Sequence, residues 1–319
     1  MPLLSRLSFV QLCKETTQGT AASSNPIYIP VQDATGEELP HYVEDDSLAN
    51  NASLIRGVYQ GERDSTFTYN GFLYPDVVGY HMVSAGFSDS YSASGASSGT
   101  HTFRVPAAGT QPPSYTIGDF DNVAFRQWAG QVLDQWDVTL DGKGALKHTA
   151  KWLGWTSASA SKPTPAWTAM NPYMGWQATA TIGGIGVTRM ISAGFTIKRS
   201  TEVIHTLGNT QNPYNVFAGP VDSRIKFQAV VEDYTDWNHL INNDQPTVVV
   251  TVTDTQASSG AGGIAPVLTF TSTSEAFVKG VLNRKGKYMV LDVDITSIQN
   301  ATDVGPLTVT QKDNHTSTY

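Results

Sequence analysis

The sequence predicts a mainly β protein, an antiparallel β-sandwich with one flanking α-helix. Short segments alternate apolar and polar residues with a period of two, as in residues 136–140, which is typical of half-buried strands. Gly- and Asn-containing turn signals separate these segments. Residues 234–243 are predicted to be a helix, whereas residues 124–133 could be helical but Gly130 and the neighbouring residues favour a strand. A chain of 319 residues with 40% hydrophobic content can form a core as one large β domain.

The N-terminal 40 residues show little strand signal, and prolines space out an extended segment around residues 26–30. We expect an N-terminal arm (1–40) that packs on another surface, with a disordered tail as the alternative. The sandwich domain is then expected at 41–312 and a C-terminal tail at 313–319. Polar residues interrupt the apolar start of the chain, so neither a signal peptide nor a membrane helix is predicted. We expect a soluble protein made in the cytoplasm.

The first strands are predicted between residues 54 and 104. Residues 54–59 form a short apolar and polar mixture, Asn70-Gly71 is a turn signal, and residues 74–82 are expected to be a strand. The Ser/Gly-rich residues 88–100 contain almost no residues that could form a core, so this segment is predicted to be a loop.

A hairpin is predicted in the middle of the chain. Residues 127–140 form its first strand, residues 141–144 a tight turn, and residues 145–155 the returning strand. Residues 156–177 are expected to be a second long loop. A strand region follows at 178–198, and residues 199–215 are predicted to be the tip of a long hairpin.

The single predicted helix covers residues 234–243. Acidic residues precede it, which favours a helix N-terminus, and Pro246 prevents its continuation. Trp237, Leu240 and Ile241 fall at helical spacing and form a narrow apolar stripe. We therefore expect these three side chains to pack the helix on a sheet.

Strands are expected to resume after the helix, at residues 246–254. Residues 255–266 are predicted to be a flexible loop, followed by strands at 267–283, 287–295 and 305–311. In the second of these, Met289, Leu291, Val293 and Ile295 share one face. Val290, Asp292 and Asp294 share the other, so an apolar face is expected to pack inward while a face with acids looks outward.

The charge is unevenly distributed. Only 15% of the residues are charged, which suits a surface largely covered by copies of the same protein, although β-rich secreted domains have similar compositions. Residues 33–64 hold eight acids against two arginines and so carry most of the net charge of −8. Such a patch would repel DNA, since phosphate binding needs Lys and Arg. A solvated acidic loop is the alternative.

No specific catalytic or metal-binding pattern is present. The seven histidines lack metal-ligand spacing, no nucleophile elbow occurs, and Gly183–Gly186 lacks the ending of a phosphate-binding loop. The single Cys13 implies no internal disulfide. Asp292 and Asp294 point the same way on one strand, unlike a glycosidase pair. We therefore predict a protein that is not an enzyme and has no cofactor or metal.

Six tryptophans lie close together in the sequence, and exposed aromatic ridges bind sugars. Burial in a core or a subunit interface is the commoner fate of such residues. They are Trp128, Trp136, Trp152, Trp155, Trp167 and Trp176.

The order of elements resembles the major tail tube proteins of long-tailed, siphovirus-like bacteriophages. Four segments carry the likeness, over roughly residues 50–312 and as a pattern without a signature motif. They are residues 75–79 (PDVVG), 112–121 (PPSYTIGDFD), 217–254 with the predicted helix at their centre, and 284–310.

The resemblance implies a tail-tube-like sandwich with an extended arm and long loops, which forms hexameric rings stacked into a hollow tube. Sheets of neighbouring subunits would join around the ring, while arms and long hairpins would lock ring to ring. The lumen would be negative, so that double-stranded DNA passes without adhering. Candidate acidic residues of the lumen or of interfaces are Glu44, Asp45, Asp46, Glu62, Asp64, Asp292 and Asp294.

The resemblance also implies a location and partners. The protein would belong to the virion tail, be assembled in the host cytoplasm without a membrane, and meet a tape measure protein and a tail terminator. The alternatives are another virion β-protein, such as a receptor-binding or capsid decoration protein, and a carbohydrate-active enzyme.

Overall fold

The computed structural model describes residues 7–48, 53–95, 98–106, 109–167, 170–208, 210–255, 265–284 and 286–319. In these ranges the chain is mainly β, as predicted, with two α-helices and one 3-10 turn at Gly175–Gln177. The helices are α1 (Pro75–Ser84) and α2 (Thr235–Asn242).

The strands of the first half are β1 (Phe9–Lys14), β2 (Ile27–Ile29), β3 (Asp33–Asp45), β4 (Gly57–Phe72), β5 (Ser88–Gly95), β6 (Ser98–Arg104), β7 (Tyr115–Phe120), β8 (Phe125–Asp141), β9 (Lys147–Gly154) and β10 (Ser157–Ala160). The strands of the second half are β11 (Ala178–Ile182), β12 (Ile185–Gly186), β13 (Met190–Lys198), β14 (Glu202–Ile204), β15 (Asn215–Phe217), β16 (Asp222–Val230), β17 (Val248–Thr253), β18 (Val267–Ser272), β19 (Glu275–Asn283), β20 (Val290–Ser297) and β21 (Thr308–Asp313).

The described strands form two large antiparallel sheets. The larger sheet has the order β19-β20-β16-β13-β8-β7-β1-β2, and the chain β9-β4-β3 branches from β8, which also pairs with β10. The smaller sheet has the order β12-β11-β17-β18-β21-β6-β5, and β14 pairs with β15 separately. The long β8 therefore belongs to both arms of the larger sheet.

The main hydrophobic core lies between the two sheets, and two smaller hydrophobic clusters of described residues lie apart from it. Strands of the larger sheet bury alternate residues, such as Phe195 and Ile197 in β13, as expected when one face packs inward. Phe270 of β18 meets Phe195 from the opposite sheet, with ring centroids 4.2 Å apart. In β20, Leu291, Val293 and Ile295 are buried as the sequence predicts, whereas Met289 is 40% exposed.

The strand prediction for residues 74–82 is wrong, because this segment forms α1. Pro75 stands at the start of the helix, where its missing N–H costs nothing. The helix buries eight residues on nearly all sides, so it shows no amphipathic period from which the sequence could predict it. It contacts β5, β6, β8 and β21, and so lies at the junction of both sheets.

The predicted helix at 234–243 is confirmed as α2. Trp237 and Leu240 lie over Gly280 of β19, where an added Cβ would come within 2.9 Å of the Leu240 side chain. Ile241 lies on the exposed side of the helix, with 66% of its surface accessible. Arg189 donates to the buried Asp236 carboxylate at 2.7 Å, which fixes the first turn of α2 to the β12–β13 connection.

Residues of the N-terminal segment enter the larger sheet, so the expectation of little strand content there is wrong. β1 pairs along its whole length with β7 and also with β2. The buried Glu15 follows β1, and its carboxylate accepts four hydrogen bonds. The donors are the amides of Gly19 and Gly130 and the hydroxyls of Ser114 and Thr116, at 2.7–3.0 Å.

Two other loop predictions are also corrected. The Ser/Gly-rich residues 88–100 include the paired strands β5 and β6, because backbone hydrogen bonds need no apolar side chain on an exposed edge. Residues 156–177 include β10, which pairs with β8. The predicted strand at 267–283 is divided into β18 and β19, which belong to different sheets. Most of the predicted loop at 255–266 lies outside the described residues.

Candidate assembly surfaces

The strands β3 and β4 form a long hairpin whose outer part leaves the sheet. The hairpin register runs from Asp33 opposite Asn70 to Asp45 opposite Gly57, while β9 pairs with β4 only between Ser65 and Phe72. Residues 39–45 and 57–64, called here the projecting hairpin, therefore have no third strand beside them among the strands that the structure describes. Seven residues at ~3.4 Å each give a projection of roughly 24 Å.

The projecting hairpin and its adjoining end residues expose an unusual amount of apolar surface. Leu48 is fully exposed and Leu54 is 81% exposed. Contiguous exposed apolar surface on a soluble protein commonly marks a contact with another molecule. The exposed apolar residues are Tyr42, Val43, Leu48, Leu54, Ile55, Val58 and Tyr59.

Five of the predicted acidic residues lie on or next to this hairpin. Glu44, Asp45 and Asp46 are at its outer end, where the Asp45 carboxylate accepts a hydrogen bond from Ser47 that lowers the pKa of Asp45. Glu62 and Asp64 lie nearer the base, and Asp64 is 3.1 Å from His41 and 3.6 Å from His205. Glu62 is 3.7 Å from His205.

The other two predicted acids lie elsewhere, on the outward face of β20. Asp292 accepts a hydrogen bond from Gln228 at 2.6 Å, and Asp294 is 3.6 Å from the Lys226 ammonium. The structure therefore divides the acidic candidates between two elements, and it places basic residues beside the second group.

A row of hydroxyl side chains crosses the outward face of the smaller sheet, and the sequence reasoning did not identify it. Its six members lie directly opposite one another on successive strands, and the Oγ1 atoms of Thr251 and Thr269 are 3.1 Å apart. The alternating threonines in these strands were the available signal. The row consists of Thr179, Thr251, Thr269, Thr310, Thr102 and Ser90.

A cleft of about 620 Å³ lies where the ends of several loops meet. Its wall includes Arg199, which is only 7% exposed, and its rim includes the partly exposed Phe217 and Val304. Sequence reasoning missed this cleft because its residues come from distant parts of the chain.

Most tryptophans of the Trp-rich segment do not form an exposed platform. Trp128, Trp136 and Trp152 are buried in the core, whereas Trp167 and Trp176 are about half exposed. Trp155 instead covers Gly130, where an added Cβ would come within 1.7 Å of its ring. Most of the tryptophans are therefore packed inside the subunit and are not available to form a sugar-binding platform.

The buried histidines belong to the packing of the core. His81 accepts from the Tyr69 hydroxyl at 2.8 Å and donates from Nδ1 to the Val77 carbonyl. Burial lowers the pKa of His81 to about 4 and the pKa of His148 well below its usual range. Both imidazoles are therefore neutral at pH 7, and their burial keeps them from any substrate.

Three carboxyl groups of the described chain that are buried or partly buried have raised pKa values, and they are Asp119, Glu275 and Asp313, the last also through burial. Burial, with a smaller effect of Asp121, raises the pKa of Asp119 to about 6. Burial raises the pKa of Glu275 to about 7, against hydrogen bonds from Ser272 and Ser297. Within the described ranges no three His, Cys, Asp or Glu residues are arranged to hold a metal ion, and no helix could cross a membrane.

Comparison with known proteins gave one family. The sequence model described as phage tail tube protein matches residues 5–297, which is most of the chain. A search of curated proteins gave no match.

Proposed function

We propose, from the premise that this chain belongs to the phage tail tube protein family, that it forms stacked hexameric rings of a hollow tail tube. The chain is a structural protein of the bacteriophage virion. In the proposed assembly, double-stranded DNA passes through the tube during ejection. The long-tailed, siphovirus-like type of phage is part of the proposal.

The projecting hairpin is the observation that carries the proposal. This strand pair extends roughly 24 Å beyond its sheet. Among the described residues, its hydrogen bonds and ion pairs with the rest of its own subunit lie near its base, at residues 60–64. Its exposed apolar side chains favour a partner surface, since water contact with them is unfavourable. A second copy of the chain, in the next ring, supplies such a surface at every position of a tube.

Unpaired sheet edges support association around the ring. β19 and β2 end the main path of the larger sheet, and β5 and β12 end the smaller one. Such edges present free backbone groups that pair readily with another strand. Joining them between subunits closes the sheets into a barrel and removes these edges.

The acidic candidates are proposed to lie on the lumen or on subunit interfaces. Glu44, Asp45 and Asp46 are free to reach another subunit, whereas Asp292 and Asp294 lie on a sheet face that also carries Lys226. The row of neutral hydroxyls on the smaller sheet is a second surface, and its own six members would bind phosphate weakly because they carry no charge. However, Lys312 and Arg104 lie two residues further along β21 and β6 on the same face.

The proposed partners follow from this role. They are further copies of the chain, a tape measure protein and a tail terminator. The domain division into an arm (1–40), whose strands β1 and β2 pair within the larger sheet, a sandwich domain (41–312) and a tail (313–319) is proposed with it. The proposed place of assembly is the host cytoplasm, without any membrane.

Negative-stain images of the purified chain at rising concentration test the proposal. We expect hollow tubes with a regular axial repeat or six-fold rings. Particles that remain monomeric even when concentrated would contradict it. A stable trimer would favour a receptor-binding or capsid decoration protein, and glycan binding by Trp167 and Trp176 would then be tested.

A further inference from the structure

Arg199 is a buried cation without an anionic partner. Its Nε donates to the Gly219 carbonyl and its Nη1 to the Ala85 carbonyl, both at 2.8 Å. Among the described residues no carboxylate forms an ion pair with its guanidinium, and its two side-chain hydrogen bonds are those from Nε and Nη1. Burial alone lowers the pKa of Arg199, with no opposing effect of a carboxylate. A buried charge in this state is costly until an anion approaches it.

The cleft beside Arg199 is suited to an anionic peptide segment. Arg199 is the only charged residue that the structure places along the cleft wall. At the rim, Phe217 is 47% exposed and Val304 is 41% exposed. Val304 also has a φ of 59°, a left-handed conformation that is rare and strained for a β-branched residue.

The volume of the cleft favours a longer peptide segment over a small anion as its occupant. About 620 Å³ is far more space than one carboxylate or phosphate fills. The apolar rim would remain exposed around a small anion. A segment that combines carboxylates with apolar side chains would satisfy both the Arg199 charge and the rim.

The end of the projecting hairpin has this combination. It carries Glu44, Asp45 and Asp46 together with the exposed Leu48 and Leu54. Within one subunit these carboxylates make no ion pair with Arg199, and the hairpin that carries them extends away from the sheet. The charge and the apolar surface therefore point to contact between two copies.

We propose that the Arg199 cleft of one subunit receives the acidic end of the projecting hairpin from a second copy of this chain. This inference rests on the proposed function, since it names the contact that joins successive subunits. In the contact, a carboxylate of residues 44–46 approaches the Arg199 guanidinium, and Leu48 or Leu54 covers Phe217 and Val304. Arg199 is then compensated only in the assembly.

Photo-crosslinking from the hairpin tests the contact directly. Leu48 is replaced by p-benzoylphenylalanine, the full chain is assembled and irradiated, and cross-linked peptides are identified by mass spectrometry. We expect cross-links to residues 217–221 or 297–306 of another copy. The same probe at the exposed Glu232 is the control and should give none to these segments.

The outcomes separate the contact from the function. Tubes that form but cross-link from position 48 to other surfaces would overturn the inference and leave the tube role standing. A chain that forms no assembly at all would overturn the proposed function and the contact with it.

Charge variants at other positions provide a second test, because they leave Arg199 and the fold of the subunit unchanged. Gln299→Glu adds a negative charge at the exposed rim of the cleft, and Gln245→Glu adds one elsewhere as the matched control. We expect Gln299→Glu to raise the critical concentration for assembly at least about tenfold, because like charges at a contact are strongly unfavourable. Equal assembly of the two variants would contradict the contact.

Neutralising the hairpin acids should have a similar effect. The combined variant Glu44→Gln, Asp45→Asn and Asp46→Asn is compared with Glu37→Gln, Glu232→Gln and Asp244→Asn, all exposed positions. We expect only the first to raise the critical concentration, by about tenfold. Assembly of the first variant at the wild-type concentration would overturn the inference.

Discussion

Phe195 of β13 and Phe270 of β18 stack across the sandwich, with ring planes 15° apart and centroids separated by 4.2 Å. Each ring belongs to a different sheet, and both are at most 2% exposed. Their contact is therefore a direct link between the two layers of the subunit.

We expect Phe195→Ala to lower the free energy of unfolding by about 3–5 kcal/mol, because it leaves a cavity between the sheets. Urea denaturation followed by tryptophan fluorescence measures this change. Phe217→Ala, at a partly exposed position, is the matched control and should cost less than about 1 kcal/mol. A loss from Phe195→Ala no larger than the control would show that the layers do not depend on this pair.

We expect Glu15→Gln to destabilise the subunit by about 3 kcal/mol. An amide group would place N–H donors against two of the donors that now bind the carboxylate, and buried groups would lose their partners. Glu37→Gln, at an exposed position, is the control. Hydrogen exchange at the Gly19 and Gly130 amides should rise in Glu15→Gln. Unchanged exchange would contradict the role of Glu15.

Glu275 should make stability fall as pH rises. Its pKa is raised from 4.5 to about 7, so the native state keeps a proton that the unfolded chain releases. The stabilisation is fully present below pH 4.5 and is lost as pH rises through 7. We expect wild type to lose on the order of 3 kcal/mol relative to Glu275→Gln across this window. Urea denaturation at several pH values checks it, and parallel curves would contradict it.

His81 should make stability rise as pH rises, which is opposite to the effect of Glu275. Because its pKa is lowered to about 4, its stabilisation is present above pH 6.5 and is lost as pH falls through 4. His81→Asn should therefore have a flatter acid limb than wild type, whatever its absolute stability. An acid limb as steep as that of wild type would show that other groups cause the slope.

Removing the outer part of the projecting hairpin should separate folding from assembly. Residues 41–62 are replaced by Asn-Gly, which closes Pro40 onto Arg63 with a two-residue turn. We expect a folded subunit with unfolding free energy within about 1 kcal/mol of wild type, since none of the described residues of this part belongs to the core. Electron microscopy should show no tubes, and normal tubes would contradict the proposed role.

Lysine substitutions on β20 test whether the face that carries Asp292 and Asp294 lines the lumen. If it does, tubes carrying Asp292→Lys and Asp294→Lys should retain short double-stranded DNA, and the retention should weaken with salt. Co-sedimentation with tubes measures this, and Asp244→Lys, at an exposed position two residues after α2, is the control. Equal retention by both variants would remove these two acids from the lumen.

The sequence predicted the fold class and α2 well, for physical reasons that act locally. Pro246 ends the helical period, and the alternation in β20 follows directly from one buried face. The helix α1 was not predicted from the sequence. Burial on nearly all sides of this helix removes the amphipathic signal, and Pro75 at the first position is the remaining sequence feature that indicates a helix.

The candidate surfaces were predicted only in part. The acids of residues 33–64 stood out by charge alone, but their place on a projecting hairpin depends on where β9 stops pairing with β4. The environment of Arg199 could not be predicted, because Ala85 and Gly219 reach it from distant parts of the chain.

The pairing of β6 with β21 has a consequence for synthesis of the chain. β5 and β6 are made before most of the other strands, yet among the described strands β21 alone joins them to the rest of the smaller sheet, and it is made only after β18, β19 and β20. Such non-local pairing delays folding until both partners exist. A prematurely terminated chain would lack this closing strand, so defective products would be excluded from the growing polymer before they could weaken it.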